Sequence, residues 1–207
     1  NRGEIGKYLV TFIGNHDKFW QGSRFGKDAH DEQIIGAMGY LLCSLGTACI
    51  YYGDEQGFYG SGEDNDIREA MFDKDETGKN LMNTESRIYK GISGIAKVCR
   101  NNPELRFGRM YFREISGNDA PAEFGLPFGS DYTLAFSRLL YGSEVLVAYN
   151  VSGEERNDRV LVDASLHPAG STMEYKYGDN GNVTVYEQDG IHYVRLPLRP
   201  YQFVILK

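Results

Sequence analysis

Two spacings of apolar residues divide the chain near its midpoint. Up to about Asn102, apolar runs alternate with segments in which apolar residues recur every three or four positions, the pattern of strands alternating with helices. From about Glu104 onward, apolar and polar residues alternate singly, which is typical of strands that bury one face. We therefore predict two domains, residues 1–103 and residues 104–207, with the boundary near Pro103.

The first half predicts two strand–helix units in series. Residues 7–13 and 47–52 are short apolar runs, typical of strands that are buried on both faces. A polar, Gly-rich loop follows each run. Helical spacing of apolar residues comes next, at Ile34, Ile35, Met38, Leu41, Leu42 and Leu45 in the first unit and at Ile88, Ile92, Ile95 and Cys99 in the second. Two such units favour a parallel sheet with helices packed outside it.

The second half predicts an antiparallel β-sandwich without helices. Its candidate strands are short and closely spaced, at residues 109–115, 132–139, 144–151, 160–162, 173–177, 183–187, 191–196 and 202–206. Asn180-Gly181 and Asp189-Gly190 lie between candidate strands and are strong hairpin signals. The predicted fold class is therefore α/β plus all-β.

Composition and charge exclude several classes of protein. The chain is 41% hydrophobic and 25% charged, which indicates a folded core and not a disordered chain. With 22 basic and 29 acidic residues and no basic cluster, it is not expected to bind nucleic acid. No apolar run approaches the roughly 18 residues that cross a bilayer, so no membrane partner is expected. The three cysteines have no metal-ligand spacing.

Polar side chains follow both predicted strands of the first half. Asn15, His16 and Asp17 come directly after the first strand, and Asp54 and Glu55 come directly after the second. In a parallel barrel, catalytic groups project from this end of the strands because the following loops line the open face. The alternative for the Asn15 segment is an Asx-turn that closes the strand without chemistry.

These residues carry a resemblance to a known family. Phe12-Ile13-Gly14-Asn15-His16-Asp17 resembles the motif that ends strand seven of the α-amylase family of glycoside hydrolases. Residues 46–57 resemble the strand-eight segment of that family, and residues 67–72 resemble the loop that follows it in many bacterial α-amylases. Similar matches to the C-terminal β-domain of those enzymes occur at residues 105–109, 135–138 and 145–150.

The resemblance implies both a fold and a reaction. The chain would comprise the last two βα units of a (β/α)8 TIM barrel followed by the C-terminal β-sandwich. The family hydrolyses α-1,4-glucosidic bonds in starch with retention, using a nucleophile and an acid/base about 5–5.5 Å apart. A third carboxylate stabilises the transition state, and Asp17 matches it. His16 would donate to a hydroxyl of the same sugar, and Asn15 would orient the loop.

The resemblance also implies what these residues lack. In the family, the nucleophilic Asp on strand four and the acid/base Glu on strand five precede the Asn-His-Asp segment. The fourteen residues before Asn15 contain neither motif, and a complete barrel needs about 250 residues. We therefore expect the isolated chain to be catalytically incomplete. Its expected partners are an α-glucan or maltooligosaccharide and the N-terminal part of a barrel.

Four further side chains are candidates for substrate binding, each with an alternative. Trp20, Phe58 and Tyr59 lie in the loops after the two strands, where an aromatic face stacks well on a sugar ring. Packing beneath those loops is the alternative. Arg68 is also a candidate substrate-binding residue, and an ion pair with an acidic neighbour is the favoured interpretation for it.

No metal ligand and no cofactor is assigned from the sequence. Many family members bind Ca²⁺ at a site whose residues are absent here, so Ca²⁺ is left open for the full-length enzyme and is not assigned to this chain. Glu63, Asp64 and Asp66 offer oxygen ligands, but their spacing is not that of an EF-hand, and a solvated acidic loop is the favoured interpretation.

Two other functions stay open at this point. One is a non-catalytic module that binds glucan or a protein through a degenerate barrel remnant. The other is a transglycosylase or a sucrose- or trehalose-acting relative, because such enzymes share the Asn-His-Asp segment. Residues 51–58 favour α-amylases among these. The sequence also leaves open whether the protein is extracellular, periplasmic or cytoplasmic. It does not determine linkage preference, chain-length preference or oligomeric state.

Overall fold

The two spacings correspond to two sheets of different kinds. The computed structural model describes residues 5–17, 24–60, 66–71, 82–117, 124–127 and 132–207. Within them, a two-stranded parallel sheet lies in the first half and a nine-stranded antiparallel sheet lies in the second. The chain divides into two compact units, Asn1–Ala96 and Lys97–Lys207.

The sheet of the first unit joins the two predicted strands in parallel. Strand β1 (Val10–Thr11) pairs with β2 (Thr47–Ala48), and helix α1 (Asp31–Cys43) lies between them in the chain. This strand–helix–strand order is the one the apolar pattern predicts. A 3₁₀ turn, Ile5–Tyr8, precedes β1.

The predicted burial of residues 7–13 on both faces is wrong. Only Val10–Thr11 is a strand, and the side chains of Tyr8, Val10 and Phe12 are 83%, 61% and 55% exposed. Among the described residues β1 and β2 form a sheet of only two strands, which lacks the packed layers on both faces that bury the strands of a larger parallel sheet.

The helices of the first unit pack as their apolar spacing predicts. Asp31 and Glu32 occupy the first turn of α1, where they complement the helix dipole. Helix α2 (Arg87–Asn101) packs against α1 through a buried cluster that comprises Ile34, Met38, Leu41, Ile88 and Ile92. Gly91 allows this close approach, since a Cβ there would lie 2.7 Å from Ile35 Cδ1. No helix among the described residues has the length and apolarity that a membrane span requires.

Among its described residues, the second unit contains a short helix and nine strands after the end of α2. The short helix is α3 (Pro103–Phe107), which the apolar pattern did not predict. The strands are β3 (Arg109–Phe112), β4 (Ile115–Ser116), β5 (Thr133–Leu140), β6 (Ser143–Asn150), β7 (Arg156–Leu161), β8 (Thr172–Tyr177), β9 (Asn182–Gln188), β10 (Ile191–Leu198) and β11 (Phe203–Leu206). Their spatial order is β3-β5-β6-β11-β8-β9-β10-β7-β4.

This sheet curls so that strands distant in its order meet. Thr133 in β5 donates a hydrogen bond to Asp158 in β7 although five strands separate β5 from β7 in the sheet. The curled sheet encloses one core, which includes Ala135, Leu146, Val160, Met173, Val194, Leu196 and Leu206. The two layers of the predicted sandwich are thus opposite sides of one sheet.

The hairpins explain the register of this sheet. Asp189 and Gly190, between β9 and β10, have φ values of 54° and 80°, which suit the tight turn that joins paired strands. Tyr141 and Gly142, between β5 and β6, have φ values of 49° and 78°. Each turn sets which residues face each other and so which side chains point into the core.

A buried carboxylate stabilises one end of the sheet. Glu144 in β6 accepts hydrogen bonds from Arg113 Nη2 at 2.6 Å, from the Asp163 amide at 2.9 Å and from the Ser137 hydroxyl, and it lies 3.2 Å from His167 Nε2. Burial alone would raise the pKa of Glu144, but these groups outweigh it and lower the pKa to about 2. Glu144 therefore stays ionised in the folded protein.

Candidate active site

The candidate site begins where the two parallel strands end. The Cys49 amide, directly after β2, donates to the Thr11 carbonyl at the end of β1 at 2.8 Å. The segment Gly14–Asp17 and the 3₁₀ turn Asp54–Gln56 therefore both follow the carboxyl-terminal end of the parallel pair. Functional groups are predicted at this end of the strands, because the loops that follow parallel strands line the open face of a barrel.

Asn15, His16 and Asp17 form one hydrogen-bonded turn. The Asp17 amide donates to Asn15 Oδ1 at 2.7 Å, which is the Asx-turn that was the alternative for this segment, and the roles of these residues toward substrate stay predictions. His16 Nε2 lies 3.2 Å from Asp17 Oδ1, and the two side chains are 63% and 60% exposed. The turn thus presents a carboxylate and an imidazole to solvent side by side.

Arg68 contacts this turn from a distant part of the sequence. Its Nε donates to the His16 carbonyl at 3.3 Å, and it ends the 3₁₀ turn Asp66–Arg68. The structure therefore brings four of the predicted site residues together, namely Asn15, His16, Asp17 and Arg68. The contact of Arg68 with the described residues of the turn is with a carbonyl, and its ion-pair alternative stays open.

The aromatic candidates have different environments. The Phe58 ring lies 5.5 Å from the Arg24 guanidinium and packs so closely on Gly53 that a Cβ there would meet it at 2.3 Å. This is the packing role that was its alternative, and its binding role stays a prediction. Tyr59 is 45% exposed. Trp20 lies outside the described residues.

Arg24 organises the site from beneath, and sequence reasoning missed it. Its Nη1 lies 2.8 Å from Asp54 Oδ1, and the side chains of both residues have no exposed surface. Its Nη2 donates to the Tyr52 carbonyl at 2.8 Å and its Nε to the Ile67 carbonyl at 3.1 Å. The guanidinium also stacks 4.3 Å from the Tyr51 ring. One side chain thus joins the loop after β1 to the loop after β2.

Asp54 is the second buried charged group that sequence reasoning left without a role. Burial, the largest influence, raises the pKa of Asp54 to about 6, and the Arg24 guanidinium offsets this only in part. Its Oδ2 is buried and accepts no hydrogen bond from any described residue. The same oxygen lies against Gly14, directly before the Asn15 turn.

The calcium expectation falls mainly outside the described residues. Glu63 and Asp64 are not described, nor is the side chain of Asp66. The part of the chain that the structure describes contains no group of three or more His, Cys, Asp or Glu side chains that would hold a metal ion. A calcium site therefore stays an untested expectation.

Comparison with known sequences assigns the family. The family described as "Alpha amylase, catalytic domain" matches residues 4–91. The chain is 30% identical over 200 residues to an α-amylase of Streptomyces lividans, a match that covers 85% of the chain and 21% of the relative. It is 36% identical over 189 residues to a cyclomaltodextrin glucanotransferase of Geobacillus stearothermophilus, covering 86% of the chain and 23% of the relative. The chain spans less than a quarter of either relative.

Solved structures support the same assignment at the level of fold. The cyclomaltodextrin glucanotransferase CldA superposes with a TM-score of 0.67 at 18% identity, over 98% of this chain and 36% of that one. The Geobacillus thermoleovorans α-amylase in complex with acarbose superposes with a TM-score of 0.64 at 18% identity, over 97% and 39%. Residues 4–91 therefore belong to the α-amylase family of glycoside hydrolases, and the chain shares its fold with solved enzymes of that family.

Proposed function

We propose that this chain is the C-terminal part of a retaining α-glucan hydrolase in which Asp17 stabilises the transition state. Family membership and the named α-amylase relative support an enzyme that acts on α-1,4-linked glucans. The observation that carries the proposal is the exposed Asp17 carboxylate with His16 beside it, 3.2 Å away, at the carboxyl-terminal end of β1. The domain boundary is proposed at Pro103, where α3 begins.

The chemistry follows from charge development on the sugar ring. Glycoside cleavage passes through an oxocarbenium-like transition state, whose positive charge is absent in the bound substrate. A fixed carboxylate that binds ring hydroxyls interacts more strongly with that state than with the substrate, and only such a difference lowers the barrier. In this proposal Asp17 supplies the carboxylate, His16 donates to a hydroxyl, and Asn15 and Arg68 hold the turn.

The nucleophile and the general acid are proposed to come from the N-terminal part of a barrel. The exposed apolar side chains around β1 support this proposal, because the remaining strands and helices of a barrel would pack against the faces of β1 and cover them. Tyr8, Val10 and Phe12 are the side chains concerned.

A glucanotransferase is the second candidate. It is favoured by the 36% identity to a cyclomaltodextrin glucanotransferase, the higher of the two identities quoted above. Hydrolysis and transfer share the glycosyl-enzyme intermediate and differ in whether water or a sugar hydroxyl attacks it. The same role of Asp17 serves both reactions.

Glucan binding by the chain separates these enzyme proposals from a non-catalytic binding module. In NMR titrations with maltoheptaose, we expect the amide signals of Asn15, His16 and Asp17 to shift. Asp17→Ala and His16→Ala should each weaken binding about tenfold, because each removes a polar contact to the sugar. Asp28→Ala is the matched control, since Asp28 is an exposed carboxylate of the same unit. Glucan binding that neither His16→Ala nor Asp17→Ala weakens would favour the binding module.

A further inference from the structure

The residue directly before the Asn15 turn lies against a buried carboxylate. Gly14 is buried, and a Cβ at its position would lie 2.2 Å from Asp54 Oδ2 and 3.0 Å from Asp54 Cγ. Any side chain at this position would therefore force either the turn or the Asp54 carboxylate to move.

The Asp54 carboxylate is held from segments other than the turn. Its side chain has no exposed surface, and Arg24 Nη1 lies 2.8 Å from its Oδ1. Arg24 in turn donates to the backbone carbonyls of Tyr52 and Ile67. The surface on which Gly14 rests is therefore fixed by three separate segments of the chain.

The same assembly contacts the turn a second time. Arg68, whose Nε donates to the His16 carbonyl at 3.3 Å, directly follows Ile67, whose carbonyl accepts from Arg24. Contacts on both sides of Asn15 thus lead back to Arg24. The Asx hydrogen bond from the Asp17 amide to Asn15 then fixes Asp17 relative to these two points.

Stability alone is a poor explanation for Asp54. A buried carboxylate with one oxygen that accepts no hydrogen bond from the described residues costs free energy that an apolar side chain would not. Its elevated pKa of about 6 has the same cause. Such costly groups beside a functional segment are typical of sites in which position matters.

We propose that Asp54, held by Arg24, is a positioning residue that sets the place of the Asp17 carboxylate through its contact with Gly14. This inference rests on the proposed function of Asp17. Misplacement of a catalytic group by about 1 Å can cost about 10²-fold in rate, so a contact that fixes the start of the turn has a measurable effect.

A double-variant cycle tests this contact in a glucan-hydrolysing polypeptide that contains these 207 residues. We expect Gly14→Ala to lower kcat about tenfold or more, with a smaller change in KM, because the added methyl group displaces the turn. Asp54→Ala alone should also lower kcat, because it removes the carboxylate on which Gly14 rests. Gly14→Ala combined with Asp54→Ala should be less harmful than the product of the single effects, since the clash is gone.

The 207-residue chain gives a second readout that needs no activity. The NMR signals of Asn15, His16 and Asp17 should move in Gly14→Ala and return toward their original positions in the double variant. Gly26→Ala is the matched control, because no heavy atom of the described residues, apart from its chain neighbours, lies within 4 Å of a Cβ there. The proposal would be overturned if kcat of the double variant fell by the product of the two single effects. It would also be overturned if the Gly14→Ala spectrum resembled that of Gly26→Ala. Should Asp17→Asn leave kcat unchanged while these signals respond as expected, the proposed function fails and the contact stands.

Discussion

Asp17→Asn should lower kcat by about 10²- to 10³-fold in a glucan-hydrolysing polypeptide that contains these residues, with little change in KM. Asparagine has nearly the same shape and still binds sugar hydroxyls, but it lacks the negative charge. The charge matters in the transition state, where the sugar becomes positive, and much less in the bound substrate. The loss should therefore fall on kcat and on kcat/KM together.

Steady-state kinetics on a soluble maltooligosaccharide provide the measurement. Asp28→Asn is the matched control, because it removes an exposed carboxylate of the same unit. A variant with unchanged kcat and a raised KM would show that Asp17 only binds substrate, and the transition-state role would be wrong.

Arg24→Met should destabilise the first unit by about 3–5 kcal/mol. Methionine fills much of the space but leaves the Asp54 carboxylate buried without its ionic partner, and the carbonyls of Tyr52 and Ile67 lose a donor. Hydrogen exchange of the α1 amides measures this loss, and the β6 amides of the second unit serve as an internal reference. The matched control is Arg87→Met, which removes an exposed ion pair with Glu32 and should cost less than about 1 kcal/mol.

The loss of stability in Arg24→Met should depend on pH, because Asp54 titrates. Asp54 has a pKa of about 6 in the folded chain against an ordinary value of 3.8. Between about pH 4 and pH 6, the folded state therefore holds a proton on Asp54 that the unfolded state has lost. Its contribution to the free energy of unfolding therefore falls as pH rises from about 4 to about 6 and is flat above. Without Arg24 the folded-state pKa rises further, so the variant continues to lose stability above pH 6. If Arg24→Met loses the same free energy of unfolding at pH 5 and at pH 8, or loses as little as Arg87→Met, the proposed role of Arg24 is wrong.

The sequence predicted the antiparallel half well because its signals are local. Alternation of apolar and polar residues identified eight of the nine strands, and Asp189-Gly190 identified the turn whose two positive φ values the structure shows. The missing strand, β4, is two residues long and too short for any alternation. Strand β7 begins at Arg156, earlier than the predicted start at residue 160. The prediction missed this part because Arg156 and Asp158 are charged and interrupt the apolar pattern, although they form an ion pair whose side chains are largely buried.

Apart from Arg68, which lies in a loop that the family resemblance identified, the site was predictable only where its residues are adjacent in sequence. Asn15, His16 and Asp17 are consecutive, and their contacts with one another are local. Arg24 is a single arginine in a Gly-rich loop, and its partners Asp54 and Ile67 are 30 and 43 residues away. No local pattern distinguishes such an arginine from a solvated one. The burial of residues 7–13 failed for a related reason, since it depends on which strands lie beside β1.

Release of reducing sugar from soluble starch by the purified 207-residue chain tests the central claim most directly. The claim is that this chain carries the transition-state-stabilising carboxylate of an α-glucan hydrolase without its nucleophile or general acid. The account predicts no release above background, and the same background for Asp17→Asn. Release by the chain that Asp17→Asn abolishes would exclude a contaminating amylase and would contradict the account.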